Sequence, residues 1–204
     1  MSHLDLFAIP LYRTIIGEPT ESEQEHLKGV AMTPGRSQAL NSTNLHILDV
    51  IQLRELRGKV ESGIKEYMTH LGVDQAKISM NITTSWVNRY SKGDLTHQHH
   101  HSNSIISGVY YLEDCDETAP IQFHRAPGYV NLWPNTINLP IKTHNALNID
   151  VVTVIPKAGE LIMWPSHLAH SVPPNQSDQD RHTIAFNTFV KGTLDPQGGS
   201  ELTI

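Results

Sequence analysis

The chain has a single cysteine, Cys115, among its 204 residues. One cysteine cannot form an internal disulfide, which excludes a disulfide-stapled secreted scaffold and favours a reducing compartment. Nothing around Cys115 marks a catalytic triad, so we interpret it as a small residue near a turn.

Basic residues are few and scattered. Lysine and arginine number 15 against 21 acidic residues, and the net charge is −6. Without a basic block, nucleic acid is not expected as a partner. The chain also lacks an apolar run near the ~20 residues that cross a bilayer, and its start, with Asp5, lacks the features of a signal peptide. We therefore expect a soluble, cytoplasmic protein that does not bind membranes.

Sequence repeats of about 20–50 residues, which mark solenoids and propellers, are absent. A chain of 204 residues fits one domain with a sizeable core. We assign residues 1–75 to an N-terminal strand and helical support, and residues 76–190 to a β core. Residues 191–204, which include a Gly-Gly pair, are expected to form a mobile tail.

The clearest helix signal runs from Leu45 to Leu71. Apolar residues recur there at steps of three and four, namely Leu53, Leu56, Val60, Ile64, Tyr67, Met68 and Leu71. This period is typical of an amphipathic helix, and we expect the stripe to pack against a sheet. Asn44 is a suitable cap and Gly72 a suitable stop.

The rest of the chain mainly favours strands. Residues 6–16 indicate a short edge strand interrupted by Pro10, and residues 18–45 a short helix with a loop. Later, β-rich runs alternate with turns at Ile78 to Arg89, Ser104 to Leu112, Ile121 to His124, Val151 to Ile155, Glu160 to Trp164 and His182 to Val190. This order predicts a mainly β sandwich or barrel with flanking helices. Residues 134–150 have the length and polarity of a lid or substrate loop.

Histidines cluster in two segments. Four of the five positions from His97 to His101 are histidine, and His170 follows the predicted strand at 160–164. Two histidines one residue apart on an extended segment project to the same side, so His99 and His101 can grip one metal ion. A third histidine from a remote strand would leave the opposite face of the metal open for chemistry. Imidazole ligands favour iron, zinc, copper or nickel over magnesium or calcium.

The position of a carboxylate ligand is open. The usual non-haem iron site has two histidines and one carboxylate, but His101 stands where the acidic residue is expected. Either the site contains three histidines, or a carboxylate such as Asp94 or Glu160 joins it from elsewhere. A three-histidine site would hold an anionic co-substrate more strongly. The remaining histidines are assigned other places: His97 and His100 point away, His167 lies in a turn, and His124, His144 and His182 are surface groups or neighbours of the ligands.

The last predicted strand has one small and polar face. Its period of two places Arg181, Thr183, Ala185 and Asn187 on the same side. Such a face suits a pocket floor, and the planar fork of an arginine matches a carboxylate. A surface salt bridge, worth at most ~1 kcal/mol, is the alternative role for this arginine. The short distance along the chain from His170 favours the pocket.

These residues resemble the iron(II)- and 2-oxoglutarate-dependent oxygenases. The motif consists of Gly159-x-Leu161, Pro165-Ser166-x-Leu168-x-His170-x-Val172-x-Pro174 and Arg181-x-Thr183. A narrower set is similar to an oxygenase family found in marine bacteria and cyanophages: Leu6-Phe7-Ala8-Ile9-Pro10, Trp86-Val87-Asn88, Gly93, His99-x-His101, Ser107-Gly108-Val109-Tyr110-Tyr111 and Phe186-Asn187. Apart from the opening segment, the resemblance covers roughly residues 78–190.

The resemblance implies a double-stranded β-helix, or jelly roll, that binds iron(II), 2-oxoglutarate and O2. His99, His101 and His170 would hold the metal, and Arg181 with Thr183 would bind the far carboxylate of 2-oxoglutarate. The co-substrate would be converted to succinate and CO2 while an unidentified substrate is hydroxylated.

Three further residues are assigned to the predicted site. Tyr111 would share the face of His99 and His101 if one strand ran through all three, and it could then hydrogen-bond the co-substrate. Asn88 and Asn187 are pocket candidates. Tyr110 faces the other way and is assigned to the core.

Two other functions remain open at this point. A metal cupin enzyme would use the same architecture without 2-oxoglutarate, although the glutamate of the cupin motif is missing and Arg181 would have no role in it. A non-catalytic jelly-roll binding module would bind metal incidentally. For an enzyme, the substrate could be a small molecule, a peptide or a protein. The N-terminal edge strand would permit a homodimer.

Overall fold

The computed structural model describes residues 8–35, 37–115, 117, 120–125, 139–145, 147–195 and 198–204. Its helices are α1 Glu21–Lys28 and α2 Arg54–His70, with short 3-10 turns at Ile47–Asp49 and Ile51–Leu53. Its strands are β1 Tyr12–Ile15, β2 Met32–Pro34, β3 Leu40–Ser42, β4 Ile78–Tyr90, β5 Thr96–His99, β6 Ile106–Tyr111, β7 Ile121–His124, β8 Val151–Val154, β9 Glu160–Pro165, β10 His170–Val172, β11 Arg181–Leu194 and β12 Leu202–Thr203. Among these elements, no helix is long and apolar enough to cross a membrane.

The strands form two antiparallel sheets. The larger sheet has the order β1-β9-β6-β11-β4-β3-β2, with β12 paired to β11, and the smaller sheet has the order β5-β10-β7-β8. Strands that are remote in sequence are therefore neighbours in each sheet. This mainly β arrangement with flanking helices is the double-stranded β-helix that the sequence resemblance implied.

One face of the larger sheet packs against α2. Since side chains alternate along a strand, the inward residues of four central strands form one apolar surface, which buries Val87, Tyr110, Leu161, Met163, Ile184 and Phe186. The stripe of α2 lies on it through Leu56, Val60, Ile64, Tyr67 and Met68. Gly63 permits a close approach, because a Cβ there would lie 2.6 Å from Cδ2 of Leu161. Each buried side chain of this size contributes about 1.5–3 kcal/mol.

The other face of the larger sheet lies opposite the smaller sheet. A second apolar cluster fills part of the space between them, with Tyr111, Ile121, Phe123, Val154, Ile162, Trp164 and Leu168. The remaining space is a cavity, and its walls carry the polar residues described below.

The buried carboxylate of Glu23 caps two helices. Thr20 and Glu23 form a capping box at the start of α1, in which the backbone N–H of Thr20 donates to Glu23 Oε2 at 2.9 Å. The backbone N–H of Leu56 donates to the other oxygen, Oε1, at 2.7 Å. This group lies in the first turn of α2, so Glu23 compensates for the missing side-chain cap at Leu53.

The predicted helix from Leu45 was wrong over its first nine residues. The two 3-10 turns occupy most of this stretch, and Asn44 accepts a hydrogen bond from the His46 backbone instead of capping an α-helix. The apolar residues of the 3-10 turns extended the helical pattern in the sequence, because Leu48 and Leu53 are also buried. The stop at Gly72 is confirmed by its φ of +71°, a conformation that favours glycine.

Most predicted strands are confirmed, but four short ones outside the predicted tail were missed. The missed strands β2, β3, β5 and β10 are three or four residues long and mostly polar. The edge strand within residues 6–16 is confirmed as β1, although residues 1–7 lie outside the described part. Within the predicted tail from Lys191, β11 continues to Leu194 and pairs with β12. Residues 139–145 and 147–150 of the predicted lid form no helix or strand, and its remaining residues lie outside the described ranges.

Candidate metal centre and co-substrate pocket

Three histidines converge between the two sheets. His99 ends β5, His101 follows it by two residues, and His170 begins β10, where it is paired directly with His99. One ring nitrogen from each histidine lies within 4.8 Å of the others. Among the residues that the structure describes, no other group of three such side chains is gathered in this way.

Hydrogen bonds orient two of the rings. Nδ1 of His170 lies 3.1 Å from the carbonyl oxygen of Leu168, and Nδ1 of His99 lies 2.9 Å from that of His97. A carbonyl can only accept, so each Nδ1 carries the proton and each Nε2 keeps a lone pair. Nε2 of His101 lies 3.3 Å from Nε2 of His170, so the two nitrogens are close enough to bind the same metal ion.

Burial keeps the imidazoles neutral. Burial, with a smaller contribution from the neighbouring His99, lowers the pKa of His170 to about 3 and that of His101 to about 4. Trp164 and Phe123 provide part of this apolar surrounding, with ring centroids 4.7 Å and 6.3 Å from that of His170. Neutral imidazole is the form that binds metal, so both groups are available as ligands at neutral pH.

No carboxylate joins the three histidines within the described ranges. Glu160 forms a two-point ion pair with Arg13, at 2.7 Å and 3.1 Å. Asp94 accepts a hydrogen bond from the backbone of Ser91 at 2.9 Å within a turn. Of the two arrangements that the sequence left open, this geometry therefore favours the three-histidine site.

A cluster of serines supports the segment that carries His101. The backbone N–H of His101 donates to the carbonyl of Ser166 at 3.0 Å. The hydroxyl of Ser166 lies 2.7 Å from that of Ser104 and 2.8 Å from that of Ser107. Ser107 in turn donates to Asn187 at 2.8 Å. Asn187, predicted as a pocket residue, is thus bonded to this cluster and is not among the residues that line the cavity. Sequence reasoning assigned no role to the three serines.

The predicted co-substrate residues line the same cavity as the histidines. The cavity has a volume of about 830 Å³. Arg181 and Thr183 open β11, where Thr183 lies between Asn88 of β4 and Tyr111 of β6. All four side chains are at most 7% exposed. The guanidinium of Arg181 stacks 4.5 Å from the ring centroid of Tyr90, which restrains its direction.

The argument that placed Tyr111 was wrong, although Tyr111 does line the cavity. No single strand runs from His99 to Tyr111, because β5 belongs to the smaller sheet and β6 to the larger one. Tyr111 faces the histidines across the gap between the sheets. Burial raises its pKa, so its hydroxyl remains a neutral donor.

Asn88 is the centre of a polar network. Its Nδ2 donates to Oγ1 of Thr183 at 3.1 Å. Its Oδ1 accepts from Asn41 at 2.6 Å and from the Trp86 indole at 2.8 Å. Asn41 comes from the missed strand β3, and no signal in the sequence linked it to Asn88.

The geometry therefore combines a histidine cluster with an arginine-bearing pocket, and comparison with known families decides between the remaining interpretations. Residues 84–187, half of the chain, match the family model described as "Putative 2OG-Fe(II) oxygenase". The chain belongs to this 2OG-Fe(II) oxygenase family. It is a 2-oxoglutarate-dependent non-haem iron oxygenase that uses iron(II), 2-oxoglutarate and O2. A cupin enzyme or a non-catalytic module is correspondingly disfavoured.

Solved structures share the fold of this oxygenase. SnoN, a non-haem alpha-ketoglutarate-dependent epimerase from nogalamycin biosynthesis, is 14% identical, with 93% of this chain and 82% of that chain covered and a TM-score of 0.61. HygX from Streptomyces hygroscopicus, with nickel, 2-oxoglutarate and hygromycin B bound, is 13% identical, with 88% and 82% covered and a TM-score of 0.59. A prolyl-4-hydroxylase from Pseudomonas putida is 12% identical, with 88% and 92% covered and a TM-score of 0.55. A comparison with curated proteins gave no match.

The other histidines considered in the sequence analysis lie outside the cluster. His97, His100, His144 and His167 are exposed. His124 bonds the hydroxyl of Ser171 at 2.7 Å, beside His170, and His182 pairs with Glu113 at 3.0 Å. Tyr110 is fully buried in the core and donates to the carbonyl of Gly17, so its assignment to the core is confirmed.

Proposed function

We propose that this oxygenase hydroxylates a C–H bond of a small polar molecule and releases succinate and CO2, with His99, His101 and His170 as its metal ligands. One observation carries the proposal: three imidazoles converge in a cavity whose wall also holds buried Arg181. Bound iron would supply the chemistry of oxygen activation, and the protein supplies binding, orientation and exclusion of water.

The donor set fits iron(II). Imidazole nitrogen suits this ion, and three protein ligands leave coordination positions for a bidentate co-substrate and O2. Because no carboxylate is among the three proposed ligands, 2-oxoglutarate would itself balance the charge of the metal. A dianionic co-substrate therefore suits this centre.

Arg181 and Thr183 would bind the far carboxylate of 2-oxoglutarate. A buried carboxylate needs both a counter-charge and hydrogen-bond donors, and the guanidinium provides the charge. Thr183 already accepts a hydrogen bond from Asn88, so its own hydroxyl hydrogen is left to donate. Tyr111, opposite Thr183 on β6, would add a second hydroxyl donor.

The outer cavity wall favours a small polar substrate. The hairpin of β2 and β3 extends the larger sheet beyond β4 and lines the cavity with Thr33, Ser37, Asn41 and Thr43. Within the described part of the lining there is no aspartate, glutamate or lysine. A volume of about 830 Å³ is in the range of small-molecule sites and leaves space beyond a five-carbon co-substrate.

A peptide substrate that adds a strand is less favoured. The edge strand β2 has three residues and includes Pro34, which cannot donate to a neighbouring strand. The outer edge of β1, at the other end of the sheet, pairs with no described strand and is the candidate contact for a homodimer.

The test is calorimetric titration of 2-oxoglutarate into anaerobic protein loaded with one equivalent of iron(II) or manganese(II). We expect metal-dependent, one-to-one binding that is lost in Arg181→Ala and retained in Arg54→Ala, a matched variant at an exposed site on α2. Tight metal binding without any 2-oxoglutarate binding at millimolar concentration would contradict the proposal and favour a cupin-type enzyme.

A further inference from the structure

Trp164 has a buried donor with no assigned role. Its side chain is 1% exposed and lines the cavity from β9. Its indole Nε1 is buried and has no hydrogen-bond partner among the described residues. A buried N–H without a partner costs about 1–3 kcal/mol, and native structures contain few of them. A phenylalanine would fill much of the same space without this cost, so the N–H itself requires an explanation.

The neighbours of Trp164 place it at the metal end of the cavity. Its ring centroid lies 4.7 Å from that of His170, the most buried of the three histidines. Trp164 pairs with Ser107 on β6, whereas Thr183 pairs with Tyr111 on the same strand. These positions are four residues apart, or about 13 Å along the strand. Trp164 and Thr183 therefore stand toward opposite ends of the cavity floor.

We propose that the indole N–H of Trp164 donates a hydrogen bond to a carboxylate oxygen at the keto-acid end of 2-oxoglutarate. The inference rests on the proposed function, in which Arg181 and Thr183 hold the far carboxylate. With that end fixed on β11, the keto acid extends toward the histidines and toward Trp164. A carboxylate oxygen can accept several hydrogen bonds, and a charged acceptor makes the bond stronger than a neutral one.

Trp164 would thus be a positioning residue that fixes the rotation of the keto acid. Three histidines would fix the position of the metal but not the orientation of a bidentate ligand bound to it. A single N–H beside His170 removes this freedom, and it also compensates for burial of the indole nitrogen. The indole would be satisfied only when the co-substrate is present.

Nuclear magnetic resonance tests the proposal directly. The chain has three tryptophans, so protein labelled with nitrogen-15 in tryptophan gives a small set of indole signals, and Trp164→Phe identifies one of them. The protein would be loaded with zinc(II), a diamagnetic ion with similar ligand preference. We expect the Trp164 indole proton to move downfield when 2-oxoglutarate is added. Succinate, a dicarboxylate without the keto group, should move it much less.

Calorimetry on the same zinc-loaded samples distinguishes the absence of the Trp164 hydrogen bond from the absence of 2-oxoglutarate binding. We expect Trp164→Phe to raise the Kd of 2-oxoglutarate about tenfold while its affinity for zinc is unchanged. If 2-oxoglutarate binds and the indole signal does not move, the N–H is instead directed at the ring of Phe123 or His170, and the proposal for Trp164 is overturned. If 2-oxoglutarate does not bind at all, the proposed function itself fails.

Discussion

The side-chain amide of Asn88 donates a hydrogen bond to the hydroxyl of Thr183 at 3.1 Å. This contact joins β4 to β11 on the cavity side of the larger sheet. Because Asn88 occupies one lone pair of the Thr183 hydroxyl, it restricts the directions in which this hydroxyl can donate. A residue that need not touch the co-substrate can in this way control a group that would bind it.

Replacement of Asn88 by aspartate should weaken 2-oxoglutarate binding. The new carboxylate would accept the hydrogen of Thr183 and would lie near Arg181, where it would compete with the co-substrate. We expect the Kd of 2-oxoglutarate to rise by at least tenfold, measured by anaerobic calorimetry. Asn81→Asp, at an exposed position on the same strand, is the matched control, and an equal effect there would contradict this explanation.

Removal of a proposed ligand should abolish tight metal binding. His101→Ala leaves two imidazoles, and we expect the affinity for manganese(II) or zinc(II) to fall by about 100-fold or more. His100→Ala removes the neighbouring exposed histidine and should change the affinity by less than about threefold. His101→Asp restores the usual combination of two histidines and one carboxylate and should retain metal. Loss of metal in His100→Ala alone would reject the assignment.

The stability of the metal-free protein should fall as the pH is lowered below about 6.5. His101 and His170 have pKa values of about 4 and about 3 in the folded protein, below their ordinary value of 6.5. Between these limits the unfolded chain binds more protons than the folded one, so acid favours unfolding. Thermal denaturation in chelator from pH 7.5 to pH 5 measures the effect. His170→Gln should flatten this dependence, and an unchanged slope would argue against the burial of His170.

Loss of the Glu23 carboxylate should destabilise the fold far more than loss of an exposed glutamate on the same helix. The two backbone groups that it binds, on Thr20 and Leu56, would both lose a charged acceptor. We expect Glu23→Ala to lower the free energy of unfolding by about 2–4 kcal/mol in urea denaturation. Glu25→Ala, on the exposed side of α1, should cost less than about 0.5 kcal/mol.

The sequence predicted those features that depend on local patterns. Strands rich in branched and aromatic residues, such as β6 and β9, were found within two residues of their ends. The spacing of His99, His101 and His170 identified a cluster that the fold does bring together. Short polar strands such as β3 were missed, because their residues line a cavity and carry no apolar alternation.

Features that depend on long-range contacts could not be predicted. The bond between Asn41 and Asn88 joins residues 47 positions apart, and the bond between Glu23 and Leu56 joins residues 33 positions apart. Neither pair has a spacing that a helix or a strand would reveal. The start of α2 was misplaced for the same reason, since its cap comes from another helix.

The Nε2 atoms of His101 and His170 are 3.3 Å apart in space, while the two residues are 69 positions apart in the chain. An unfolded chain would rarely hold them together, so a metal that needs both binds the folded state almost exclusively. At a metal concentration a thousand times its Kd, such binding adds about 4 kcal/mol to stability. Iron supply would then govern how much of the enzyme survives proteolysis in a cell, in addition to its catalytic rate.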